Sequence, residues 1–126
     1  MANEPIPDEL REFILGTIDS VAQLEALLLL RSDPNTTWNA GSLAKRLYIS
    51  EGEATDLLRR LNDDGFLIDS EGSYRFGPQR SEQQEMVDRL ADAYSRQLIP
   101  ITNMIHGKPR RIREFSDAFK FRRDRS

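Results

Sequence analysis

The chain contains no cysteine, which removes disulfides, thiolate catalysis and cysteine-held zinc together. Histidine occurs once, as His106 beside Gly107. With no second histidine near it, neither a metal cluster nor a nucleophile and base pair is visible, and a solvated or capping role is expected. Long apolar runs are also missing. Ala26 to Leu30 is the longest, far short of the ~20 residues that span a bilayer. The first residues, MANEPIPDELRE, are acidic and proline-containing, unlike the basic and apolar opening of a secretory signal, so a cytoplasmic protein is expected. No glycine-rich phosphate loop, nucleophile elbow or paired-carboxylate pattern occurs. An enzyme is not expected, and no cofactor or metal is implied.

What remains is a 126-residue chain, 38% hydrophobic and 31% charged, suited to one domain with a modest core. The formal net charge of -3 is unevenly spread. Residues 1–106 carry 10 Lys/Arg against 18 Asp/Glu, whereas 107–126 carry 8 against 3. An acidic body with a basic tail is the electrostatic plan.

The segment from Trp38 to Phe76 organises the rest. Asn39 is an N-cap ahead of a short helix whose apolar stripe is Leu43, Ala44 and Leu47. Ser50 caps a second helix over 51–63, with Ala54, Leu57, Leu58 and Leu61 at three- and four-residue spacings. Two short helices joined by three residues predict a helix-turn-helix. Its turn holds Tyr48 where glycine is common, so a left-handed backbone there is a strained one. Gly65 ends the second helix. Phe66-Leu67-Ile68 and Tyr74-Arg75-Phe76 then flank a turn-rich tip, Asp69 to Ser73, as a hairpin wing.

These residues, from Leu43-Ala44 through Leu47, Ile49-Ser50, Ala54, Leu57-Leu58 and Leu61 to Gly65-Phe66-Leu67, resemble the winged helix-turn-helix family, in particular the MarR-like bacterial transcription regulators. The resemblance implies a mainly α fold with a small β-wing and flanking N- and C-terminal helices, binding to DNA, and a homodimer formed through terminal helices. Winged helices also serve as protein-interaction modules, so the fold leaves two functions open.

The expected layout is a flexible lead over 1–7, a winged-helix domain over 8–80, a C-terminal helix over 81–106 and a basic amphipathic tail over 107–126. Asp8 caps a short first helix bearing Leu10, Phe13 and Ile14, which Gly16 interrupts. Ser20 and Gln23 have capping-box spacing ahead of Val21, Leu24, Leu27 and Leu28, and Asp33-Pro34-Asn35 stops that helix. Thr36-Thr37-Trp38 is β-prone, a third strand for the wing. Ser81 and Gln84 open the later helix, whose stripe of Val87, Leu90, Tyr94, Leu98, Ile101 and Ile105 forms a dimer seam or packs on the chain's own core. Pro100 predicts a kink or break at Ile99. Leu43, Leu47, Ile49, Leu57 and Leu61 are expected in one core with Leu24, Leu27 and Leu28.

Nucleic-acid candidates are Lys45 and Arg46 on the first helix of the pair, Thr55, Arg59 and Arg60 on the second, Arg75 on the wing, and Arg110, Arg111, Arg113, Arg122 and Arg123 in the tail. Against them stand Glu51, Glu53 and Asp56 at the leading end of the second helix. Carboxylates there repel phosphates, whereas protein cations bind them by releasing counterions. The same acids also favour a helix N-terminus through its dipole, and they are the candidates for protein contact. For the tail a nucleic-acid arm, a helix on an anionic membrane surface, a handle for an acidic protein and a clamp on the chain's own body all remain open.

Overall fold

The computed structural model describes residues 5–108. In chain order it contains α1 (Asp8–Thr17), α2 (Val21–Ser32), α3 (Ala40–Leu47), α4 (Glu51–Asp63), β1 (Leu67–Ser70), β2 (Ser73–Phe76), α5 (Ser81–Arg96) and α6 (Leu98–His106). The fold is therefore mainly helical with one small antiparallel sheet, compatible with a winged helix. Among the described residues no single helix is long and apolar enough to cross a membrane.

The starts of α3 and α4 follow the capping chemistry of the sequence. Asn39 Oδ1 accepts from the Ser42 N–H at 2.9 Å while Ser42 Oγ accepts from the Asn39 N–H at 3.0 Å, a reciprocal box. Ser50 Oγ accepts from the Glu53 N–H to begin α4. Three starts differ from expectation. The N-cap of α1 is Pro7, with Asp8 already in the first turn, and the helix runs through Gly16 to Thr17. At α2, Ser20 Oγ accepts from the Gln23 N–H, but Gln23 Oε1 takes the Asp19 N–H and its amide donates to the Thr17 carbonyl. Gln23 is 2% exposed, so a buried amide with both ends bonded locks the α1–α2 corner. At α5 the cap moves back to Arg80, whose N–H donates to Gln83 Oε1, not Gln84. Gln83 Nε2 also donates to the Asp64 carbonyl at 2.7 Å, fastening α5 to the end of α4.

The core centres on α2, which packs against α3, α4, β2 and α6, while α1 lies on α5 and α6. Leu24, Leu27 and Leu30 of α2 are fully buried with Leu43, Ala54, Leu58 and Leu61. Leu28, Leu47, Ile49 and Leu57 pack only at the margin of that core, half-buried where full burial was expected. On α4 the deep position belongs to Leu58, because the helix is rotated to aim Ala54, Leu58 and Leu61 at α2 and α3. Phe13 meets Phe66 edge-on at 6.0 Å, joining α1 to the start of the hairpin.

The hairpin is longer than predicted and its loop shorter. Leu67 pairs with Phe76 and Ser70 with Ser73, leaving a two-residue loop, Glu71-Gly72, with φ of 54° and 88°. Two positive φ values match a type I′ turn, whose twist suits the flanking strands better than a five-residue tip would. The expected third strand is a single bridge, in which Trp38 and Tyr74 exchange both backbone hydrogen bonds at 2.7 Å.

The late helix breaks at Gln97 (φ -132°, ψ 52°), two residues before the expected point. Pro100 then falls in the first turn of α6, where its missing N–H is one that has no intrahelical partner anyway. Ile99 is helical despite preceding proline.

Candidate nucleic-acid and partner interface

Helices α3 and α4 are joined by residues 48–50, and the turn is closed by backbone alone. The N–H groups of Tyr48 and Ile49 both donate to the Ala44 carbonyl. Tyr48 takes φ 58°, ψ 46°, the left-handed geometry that is strained for a residue other than glycine. Gly65 does the same at the far end of α4, with φ 90°.

With Ala54, Leu58 and Leu61 turned inward, α4 leaves Glu51, Gly52, Glu53, Asp56, Arg59 and Asp63 exposed. Of the residues singled out on this helix, two are otherwise occupied. Thr55 donates its hydroxyl to the Glu51 carbonyl at 2.8 Å. Arg60 donates through Nη1 to Asp19 Oδ2 at 2.7 Å and through Nε to Asp64 Oδ2 at 3.1 Å. Burial opposes the charge on this guanidinium, but the hydrogen bond to Asp64 and the negative charges of Asp19 and Asp64 outweigh it and raise its pKa. Asp19 also receives Lys108 Nζ at 2.9 Å, and the same ammonium donates to the Ile18 carbonyl at 3.1 Å. Arg60 is thus a structural clasp between α4, the α1–α2 corner and the chain beyond α6.

Lys45 and Arg46 on the last turn of α3 are exposed, as is Arg59, and Arg75 is half-exposed on β2. Among the described residues none of these four has an ion pair. The hairpin adds two exposed carboxylates that sequence patterning does not single out, Asp69 and Glu71. Asp69 Oδ1 accepts from the Gly72 N–H at 3.2 Å, bracing the turn. Across α3, α4 and the hairpin, therefore, four unpaired cations face six exposed carboxylates: Glu51, Glu53, Asp56, Asp63, Asp69 and Glu71.

The predicted seam is mostly internal. Val87, Leu90, Ile101 and Ile105 are buried in the chain's own core and Tyr94 packs at its edge, so these positions belong to the monomer. The break at Gln97 is what swings Ile101 and Ile105 inward. It also leaves Leu98 50% and Ile99 64% exposed at the elbow. Of the nucleic-acid candidates, Arg110, Arg111, Arg113, Arg122 and Arg123 lie outside the described residues.

An open cleft of ≈ 280 Å³ is lined by Arg31, Ser32, Pro34, Phe76, Gly77, Pro78, Gln84 and Asp88, and the Arg31–Asp88 ion pair at 2.9 Å closes one side. Its volume lies just under the range of small-molecule sites. Among the described residues no group of three or more His, Asp or Glu is placed to hold a metal ion. The Arg60–Asp19–Lys108 clasp was invisible in sequence because its members stand 41 and 89 positions apart.

In comparisons with known proteins, no family model, no curated protein and no solved structure matches the chain.

Proposed function

We propose that the chain is a winged helix-turn-helix transcription regulator of the bacterial, MarR-like kind, a cytoplasmic DNA-binding protein and not an enzyme. The observation that carries this reading is a set of unpaired cations on α3, α4 and the hairpin. Lys45 and Arg46 on α3 and Arg59 on α4 are exposed and Arg75 on β2 half-exposed, and among the described residues none of the four has an ion pair. Four such cations can release counterions from four phosphates at most, which predicts a modest salt dependence from this surface. The carboxylates at the start of α4 oppose deep insertion into a groove, so binding rests on the backbone of the duplex and depends weakly on sequence. The arginines of 107–126 add to the same term. A homodimer is part of the proposal, paired through the exposed elbow at Leu98 and Ile99.

A second reading is favoured by the six exposed carboxylates on α4 and the hairpin, which suit a basic protein partner better than a polyanion. Retention on heparin or on a mixed duplex at low salt separates the two. The regulator reading expects retention at low salt that is lost as salt rises. If neither matrix holds the protein at any low salt, the protein-interaction reading takes its place.

A further inference from the structure

Tyr48 combines two features that ordinarily exclude each other. Its backbone is left-handed (φ 58°, ψ 46°), a region in which a side chain crowds the residue's own carbonyl and which glycine enters freely. Its ring is 94% exposed, so packing against the chain offsets almost none of that strain. The turn does not need the ring, since the hydrogen bonds that close it run from the backbone N–H groups of residues 48 and 49 to Ala44. Glycine would make the same bonds. Among the described residues the other non-glycine residue at positive φ is Glu71, which occupies a hairpin turn built on that geometry. A left-handed residue whose side chain is almost fully exposed points to a role outside the folded chain.

We propose that Tyr48 is a nucleic-acid contact residue, its hydroxyl donating to a phosphate oxygen of duplex DNA between phosphates held by Lys45 and Arg46. The proposal rests on the DNA-binding reading and says where that binding is anchored. Lys45 and Arg46 are exposed on the turn of α3 that leads into Tyr48, and neither has an ion pair among the described residues. Tyrosine hydroxyls and basic side chains together are ordinary partners of the DNA backbone. A neutral donor also suits this place. Glu51 and Glu53 follow within five residues, and a lysine or arginine at position 48 would be drawn into an ion pair with them, whereas a phenol is not.

The test is fluorescence anisotropy of a labelled mixed-sequence duplex with the full chain, over a range of salt, together with thermal melting. Tyr48→Gly should melt at or above the parent temperature yet bind roughly tenfold more weakly, as the loss of one hydrogen bond to a charged group predicts. Tyr48→Phe should weaken binding comparably. Neither should change the salt slope, because no cation is removed, whereas Arg46→Ala should lower it by about one. If Tyr48→Gly and Tyr48→Phe bind like the parent while Arg46→Ala is weaker, the tyrosine contact is overturned and the DNA reading stands. If Phe binds normally and Gly does not, the hydroxyl–phosphate contact is overturned. A Tyr48→Gly protein melting several degrees lower would make the ring structural and remove the premise. No duplex binding by the parent overturns both readings at once.

Discussion

Leu57 and Leu58 are adjacent and chemically identical, yet the fold treats them differently. Leu58 is 1% exposed in the centre of the core, whereas Leu57 packs only at its margin. Truncation of Leu58 leaves a cavity between α4 and its neighbours, so Leu58→Ala should cost ~2–5 kcal/mol in denaturant unfolding. Leu57→Ala should cost clearly less, and equal losses would mean that α4 is rotated from the orientation described. Thr102 offers the converse case. Its hydroxyl is buried with no hydrogen-bond partner among the described residues, a desolvated group without compensation. Thr102→Val keeps the shape and removes the hydroxyl, and should leave stability unchanged or raise it by about 1 kcal/mol. A loss of similar size in the same measurement would show that the hydroxyl is bonded in solution.

At the scale of elements, the late helix shows how one proline redistributes a hydrophobic stripe. An unbroken helix over 81–106 would carry Val87, Leu90, Tyr94, Leu98, Ile101 and Ile105 along one face as a continuous seam. The break at Gln97 folds Ile101 and Ile105 back onto the core beside Val87 and Leu90 and turns Leu98 and Ile99 out. Charge at these positions should therefore have opposite consequences. Leu90→Glu buries an unpaired carboxylate and should abolish the cooperative melt by circular dichroism. Leu98→Glu should stay folded, and if the elbow is the homodimer contact it should halve the mass seen in light scattering. A folded, monomeric Leu90→Glu protein would instead restore the seam to the surface.

At the scale of the molecule, charge decides how the protein meets a partner. The body is acidic, and the surface of α3, α4 and the hairpin carries six carboxylates beside four unpaired cations. Replacing Glu51, Glu53 and Asp56 with Gln or Asn should leave duplex binding unchanged or tighten it by removing repulsion. Neutralising Arg110, Arg111, Arg113, Arg122, Arg123 and Arg125 should flatten the salt slope by about one for each phosphate that these arginines had neutralised. Should the three acids prove essential for one particular duplex while the tail is dispensable, α4 reads bases and the backbone-dominated picture fails.

Local chemistry, which needs only neighbours in sequence, was determined by the sequence itself. The caps at Asn39 and Ser50, the left-handed turn at Tyr48 and the glycine end at Gly65 arise from interactions within about five residues, and the hairpin after them from strands joined by a short turn, where residue type dictates backbone geometry. The acidic leading turn of α4 was equally legible, because charge is a property of composition. Tertiary structure decided what periodicity cannot. A stripe at three- and four-residue spacing says that one face is buried, not which of two adjacent leucines goes deepest or whether the covering surface belongs to the same chain. The turn of α4 toward α2, the inward swing of Ile101 and Ile105 after Gln97, and the pairing of Arg60 with Asp19 depend on groups brought together only when the helices pack.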